Sequence, residues 1–128
     1  MKLLCCALLA SAGLAGCAAP VPPAPVGLMD VAERPAEGEL LAGLRAYDDA
    51  QYPLAEGRLG VALKLGLASA KDRAAAHKLL AFIYCTSERI APCEAAFRAA
   101  RGADPGFALT RSEAGHPVWG PVYKRVLP

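Results

Sequence analysis

Histidine, aromatic residues and net charge are all scarce in this chain. It has two histidines among 128 residues, few for a zinc site that needs three or four converging ligands. Its formal net charge is +2, from 14 basic and 12 acidic residues that are interspersed along the chain. A nucleic-acid-binding face gathers its basic residues into a patch or stripe, and no such stripe occurs, so no nucleic-acid partner is expected. β-Branched residues are few and never alternate with polar ones over a useful length, which argues against strands. No apolar run reaches the ~20 residues needed to span a bilayer as a helix. No glycine loop of the phosphate-cradling kind is present; the glycine-rich spots read as helix ends. Ser112, Glu113 and His116 lie too close in sequence to converge as a catalytic triad. The expectation is a protein that is no enzyme, with no catalytic residues, no metal and no cofactor.

What the chain does have begins at its N-terminus. Lys2 supplies one positive charge, and Leu3 to Ala15 are apolar or small. That length fits the apolar region of a secretory signal, ~7–15 residues. It closes on Leu14-Ala15-Gly16-Cys17. This resembles the lipobox of bacterial lipoproteins, in which small residues let a dedicated peptidase cut before the cysteine. The resemblance implies a signal peptide over residues 1–16, acyl lipid on Cys17 and attachment to a membrane through that lipid. The alternative is a plain signal peptide cut at another small-residue site. Ala18 follows the cysteine, where an aspartate would suggest inner-membrane retention; lipoprotein sorting therefore implies the outer membrane. Cys5 and Cys6 leave with the signal. Cys85 and Cys93 then remain, in a compartment that permits disulfides.

Residues 17–36 form a linker carrying Pro20, Pro22, Pro23, Pro25 and Pro35 among alanine, valine and glycine. Proline fixes φ and removes a donor, so an extended spacer of ~3.1 Å per residue is expected. A helical domain is expected over 37–128. Leu40, Leu41, Leu44 and Tyr47 recur at helical spacing. Pro53 suits the first turn of a second helix, expected to bury Leu54, Leu59, Val61, Ala62 and Leu65 and to stop at Gly66. Ser69, with Asp72 three residues on, reads as the cap of a third helix holding Leu79, Leu80, Phe82, Ile83 and Tyr84. Pro92 opens a fourth, with Ala95, Ala96, Phe97 and Ala100, which stops near Gly102 before Asp104-Pro105.

The four helices form two hairpins that align at a constant offset of 38 residues: Gly43 with Ala81, Tyr52 with Ile90, Ala55 with Cys93, Leu59 with Phe97, and Ala62 with Ala100. This resembles the tetratricopeptide repeat, where small residues on paired helices let them pack closely. The second hairpin fits well. In the first, Ala42 stands where the family prefers leucine, and the offset exceeds the family's usual period of about 34 residues. The extra residues are placed in the Gly66–Ala70 connection. An ordinary four-helix arrangement is the alternative. The expected fold is therefore all-α, about two tetratricopeptide-like hairpins. Two repeats are few for a free-standing array, so the tail from Phe107 to Pro128 is expected to cap them. Within it, Trp119, Val122 and Tyr123 fall on one face of a short helix begun at Pro121. The tail reads either as a cap or as a docking motif, with His116, Trp119 and Tyr123 as the partner-binding candidates.

The lipobox, the proline-rich tether, "AAAHKLLAFIYC", "CEAAFRAARGADPGFAL" and "EAGHPVWGPVY" together resemble TssQ-like lipoproteins associated with type VI secretion systems. The likeness runs from about Gly43 to Val126. It implies a periplasm-facing, membrane-anchored accessory with protein partners in the secretion envelope complex. A general outer-membrane assembly or peptidoglycan-hydrolase adaptor is the alternative.

Three further expectations concern single side chains. Cys85 and Cys93 flank the turn between helices three and four, so a disulfide is expected, worth ~2–3 kcal/mol; two buried thiols are the alternative. His77 reads as a packed histidine, and His116 as one bonded locally, with Glu113 as partner. Arg45, Lys78 and Arg101 are candidates for the wetter parts of a peptide groove, or simply for solvated helix faces.

Overall fold

The computed structural model describes Gly27, Asp30 and residues 33–128. The signal segment, Cys17 and the prolines at 20–25 lie outside the described residues. Among the described residues from 33 on, six helices follow in order: α1 (Pro35–Asp48), α2 (Tyr52–Leu65), α3 (Ala70–Thr86), α4 (Ile90–Ala103), α5 (Arg111–Ala114) and α6 (Gly120–Val126). There is no strand among the described residues, and the chain is all-α.

Local chemistry explains most of the helix ends. α1 starts at Pro35, which sequence reasoning left in the linker. A proline in the first turn gives up a donor that has no intrahelical partner there, and Ala36 and Glu37 are already buried. Pro53 plays the same part in α2, which ends at Gly66 with φ 93°, a conformation costly for a residue with a Cβ. The Ser69 hydroxyl accepts the Asp72 N–H at 3.3 Å and caps α3. The Gly66–Ser69 connection is pinned from both sides. Leu67 is buried, and the Arg73 guanidinium donates to the carbonyls of Leu67 and Ala68 at 2.8 and 3.0 Å.

The two hairpins repeat each other in detail. Among the described residues, Ala50 and Glu88, 38 residues apart, are the two non-glycine residues with positive φ, at 57° and 61°. Each turn closes with the same bond at 2.8 Å, from Gln51 N–H to the Ala46 carbonyl and from Arg89 N–H to the Tyr84 carbonyl. Ala81 and the inward stripes Ala55, Leu59, Ala62 and Cys93, Phe97, Ala100 are all wholly buried, while Tyr52 and Ile90, equivalent to each other, are both exposed. Gly43 lets α1 approach α2: a Cβ there would sit 2.9 Å from Leu59 Cγ and Cδ2. A disulfide joins Cys85 to Cys93 across the second turn, with Cα atoms 5.2 Å apart. At the equivalent first-hairpin positions stand Tyr47 and Ala55, and Tyr47 packs edge-on against Tyr52 at 5.5 Å.

α2 departs from expectation on one side. Leu54, Val61 and Leu65 are 47%, 43% and 54% exposed instead of buried. The Ala55–Leu59–Ala62 stripe, with Leu63 half-buried beside it, faces its neighbours α1 and α3. No other described helix packs on α2, so Leu54, Val61 and Leu65 stay in water.

Candidate functional site

The residues singled out in the tail come together on the second hairpin. Thr110 and Glu113 build a capping box that starts α5: the Thr110 hydroxyl accepts the Glu113 N–H, and the Glu113 carboxylate accepts the Thr110 N–H. The chain then turns tightly into α6. A Cβ on Gly120 would lie 2.5 Å from the Ala114 carbonyl oxygen, so only glycine permits this approach. Pro121 occupies the first turn of α6, and Val122 is buried.

Trp119 is the centre of the cluster. Its ring stacks on Phe82 of α3, with centroids 4.2 Å apart and 18° between planes. It also stacks on His116 at 3.4 Å and 3°. Its indole N–H donates to the Glu113 carbonyl at 2.9 Å. Tyr123 packs edge-on against Phe97 at 5.4 Å and Phe107 at 6.5 Å, and its hydroxyl accepts the Leu109 N–H at 3.2 Å. These bonds and stacks spend most of the polar and aromatic surface of Trp119 and Tyr123 inside the fold; both are half-buried. The geometry is that of a cap over α3 and α4.

His116 differs from its expected pairing. Its Nδ1 accepts the Val118 N–H at 3.2 Å. Only its backbone N–H reaches Glu113, through the carbonyl at 3.1 Å. The Glu113 carboxylate is taken by Lys78, whose ammonium donates to it at 2.7 Å. Sequence reasoning missed this contact because the partners are 35 residues apart. The spacing Thr110-x-x-Glu113, a capping-box signature, was the available signal that a helix starts there.

Lys78 and Arg101 are therefore tail anchors, and Lys78 also lines the cleft beside the tail. Arg101 Nε–H donates to the Phe107 carbonyl at 2.9 Å, and Arg125 of α6 pairs with Glu94 of α4. Arg45 alone of the three stands exposed, in the last turn of α1. His77 is half-buried on α3, and burial pushes its imidazole below the ordinary value, so it is neutral at pH 7.

Beside the tail lies a cleft of about 250 Å³, lined by Lys71, Ala74, Lys78, Phe107, Thr110 and Glu113 among others. It joins a buried floor of Ala74 and Phe107 to a charged wall of Lys71, Lys78 and Glu113. Among the described residues, no group of three His, Cys, Asp or Glu side chains is placed to hold a metal, and no helix is long and apolar enough to cross a membrane.

The Glu113–Lys78 pair gives the tail an acid sensitivity of known sign. Burial alone raises the Glu113 pKa, but the Lys78 hydrogen bond, the Thr110 N–H and the Lys78 charge outweigh it and hold the carboxyl below its ordinary value of 4.5. A carboxylate depressed in the folded state contributes stability above the unfolded pKa and loses it as pH falls through the folded one. The tail is thus expected to loosen only below pH 4.5, read as a change in the emission of Trp119, the single tryptophan. In Lys78→Met, that change is expected at higher pH. An unshifted transition would mean that the pair does not hold the tail.

No family model matches the chain, and neither a curated protein nor a solved structure matches it.

Proposed function

We propose that this protein is a lipid-anchored, periplasm-facing helical-repeat scaffold, an accessory of the type VI secretion envelope complex. One combination carries the reading: Leu14-Ala15-Gly16-Cys17 and a proline-rich tether precede two helix hairpins with matching turns, closed by an aromatic cap. Such an arrangement holds a small rigid surface at a distance from a bilayer and offers it to proteins, since helical repeats bind along the faces of their stacked helices. The cleft between α3 and the tail is one such surface. Both the tetratricopeptide-like assignment and the link to secretion rest on the sequence motifs. Acyl lipid on Cys17 supplies the anchor, and the outer membrane is its proposed site.

The test has two arms. With an alkyne fatty acid fed to the cells, wild-type protein is expected to take up label and sediment with membranes, and Cys17→Ser to do neither. Label retained by Cys17→Ser would remove the anchor from the proposal. In crosslinked pull-downs from the protein's own envelope, type VI secretion components are expected with the wild type and to be depleted with Cys17→Ser. Recovery of outer-membrane assembly or cell-wall hydrolase machinery instead would replace the secretion role with a general adaptor role.

A further inference from the structure

The tail rests on two helices at once. On α3 it holds Phe82, through the Trp119 stack, and Lys78, through Glu113. On α4 it holds Phe97 through Tyr123, Glu94 through Arg125, and Arg101 through the Phe107 carbonyl. Its own helices have four and seven residues, below the ~12–15 under which isolated helices are marginal in water. The order of the tail therefore depends on how α3 and α4 are spaced beneath it.

The Cys85–Cys93 disulfide sits where that spacing is set. Cys85 lies one turn beyond Phe82 and Cys93 one turn before Phe97, and the two rings meet edge-on at 6.2 Å. The cross-link joins the helices with its Cα atoms 5.2 Å apart. The turn itself does not need it. The first hairpin closes with the same 2.8 Å bond and the same positive φ, yet carries Tyr47 and Ala55 at the two equivalent positions. What differs is the next layer. The first hairpin is covered by α3, a helix of 17 residues, and the second by the tail. The cross-link thus stands on the hairpin whose cover has no stability of its own.

Both cysteines are buried, at 2% and 0% exposure. Reagents reach the sulfurs only while the hairpin is open, so oxidation precedes closure, and the closed form shields the bond afterwards. The tail also walls the cleft lined by Lys71, Lys78 and Glu113, so the cleft exists only while the tail is docked. We propose that Cys85–Cys93 is a redox gate on the tail: in the reduced chain both hairpins form but the tail opens readily, and oxidation locks it down and completes the cleft. Two rounds of thiol–disulfide exchange make the bond. One thiolate attacks an oxidising disulfide of the surroundings and expels a thiol; the second thiolate attacks the mixed disulfide and expels the other. The chain loses two electrons and its two thiol protons, and the oxidant leaves as two thiols. This runs in compartments that permit disulfides, and the gate does not depend on what the cleft binds.

Urea unfolding of purified full-length protein, followed by Trp119 emission and far-UV circular dichroism, tests the gate in three forms. These are the oxidised protein, the protein refolded and held in excess dithiol, and Cys85→Ala/Cys93→Ala, which gives position 93 the alanine of the first hairpin. In the oxidised protein the two signals are expected to change together. In the other two forms the Trp119 change is expected at lower urea than the loss of helix. Without urea, hydrogen exchange at the Gly120 and Tyr123 amides, both bonded within the tail, is expected to rise on the order of tenfold relative to the amides of α1 and α2. Signals that shift together, with exchange faster by the same factor in every helix, would make the disulfide a general staple and overturn the gate. A Trp119 transition that reduction leaves in place would overturn it too. So would a reduced protein without helix, because the hairpins themselves would then need the bond.

Discussion

Replacing Trp119 by alanine is expected to cost about 3 kcal/mol, the low end of the range for deleting a large aromatic, because the ring is half-buried and not fully enclosed. Three interactions go at once: the stack on Phe82 at 4.2 Å, the stack on His116 at 3.4 Å and the indole hydrogen bond to the Glu113 carbonyl. Phe82 then loses cover on the side where α3 has no further hairpin to meet. Natural domains are stable by only ~5–15 kcal/mol, so the change is a large share of the total. Urea unfolding followed by far-UV circular dichroism measures it. Trp119→Phe keeps a ring against Phe82 and loses the N–H, for about 1 kcal/mol. If Trp119→Ala unfolds at the wild-type urea concentration, the tail is not a cap, and its aromatic residues are free for a partner. The same result bears on any binding experiment with Trp119→Ala, since lost binding in a loosened protein says nothing about contact.

Gly43→Leu is expected to be at least as damaging, about 3 kcal/mol or more, at the top of the range for overpacking. A Cβ at this position would stand 2.9 Å from Leu59 Cγ and Cδ2 and 3.3 Å from the Leu59 backbone nitrogen. Leu59 is fully buried and has nowhere to swing. Gly43→Ala poses the sharper test, because two effects oppose each other. Helix propensity favours alanine by about 1 kcal/mol, whereas forcing a methyl group into a packed contact costs about 1–3 kcal/mol. The contact wins, for a net loss of about 1 kcal/mol. Gly57→Ala carries the same propensity gain with open space around it, and its thermal midpoint is expected to rise. If Gly43→Ala also rises, α1 and α2 are not held at the close approach that defines the hairpin.

Several boundaries were legible in the sequence because their causes are local. Ser69 with Asp72, Gly66, Pro53 and Pro121 each act through a φ preference or a hydrogen bond within one turn of helix, and each marks a helix end in the structure. The 38-residue correspondence was legible too, since a small residue facing a small residue survives in the order of the chain. Pro35 was misread because a tether rich in proline and a helix whose first turn begins with proline look alike until burial of Ala36 and Glu37 separates them. His116 was assigned to the nearby Glu113, but the carboxylate had a stronger partner in Lys78, a cation that the tail meets only after folding back on α3.

The sequence alone determined the helical class, the hairpin turns and the packing stripes Ala55–Leu59–Ala62 and Cys93–Phe97–Ala100, since spacing and backbone preference are properties of neighbouring residues. Tertiary structure alone decided which of the other apolar residues those helices bury. Leu54, Val61 and Leu65 are as apolar as Leu59, yet they lie open because burial depends on whether a distant element arrives to cover a face. On α2 none of the described helices covers them. On α3 and α4 the tail does arrive, and Trp119 and Tyr123 close over Phe82 and Phe97.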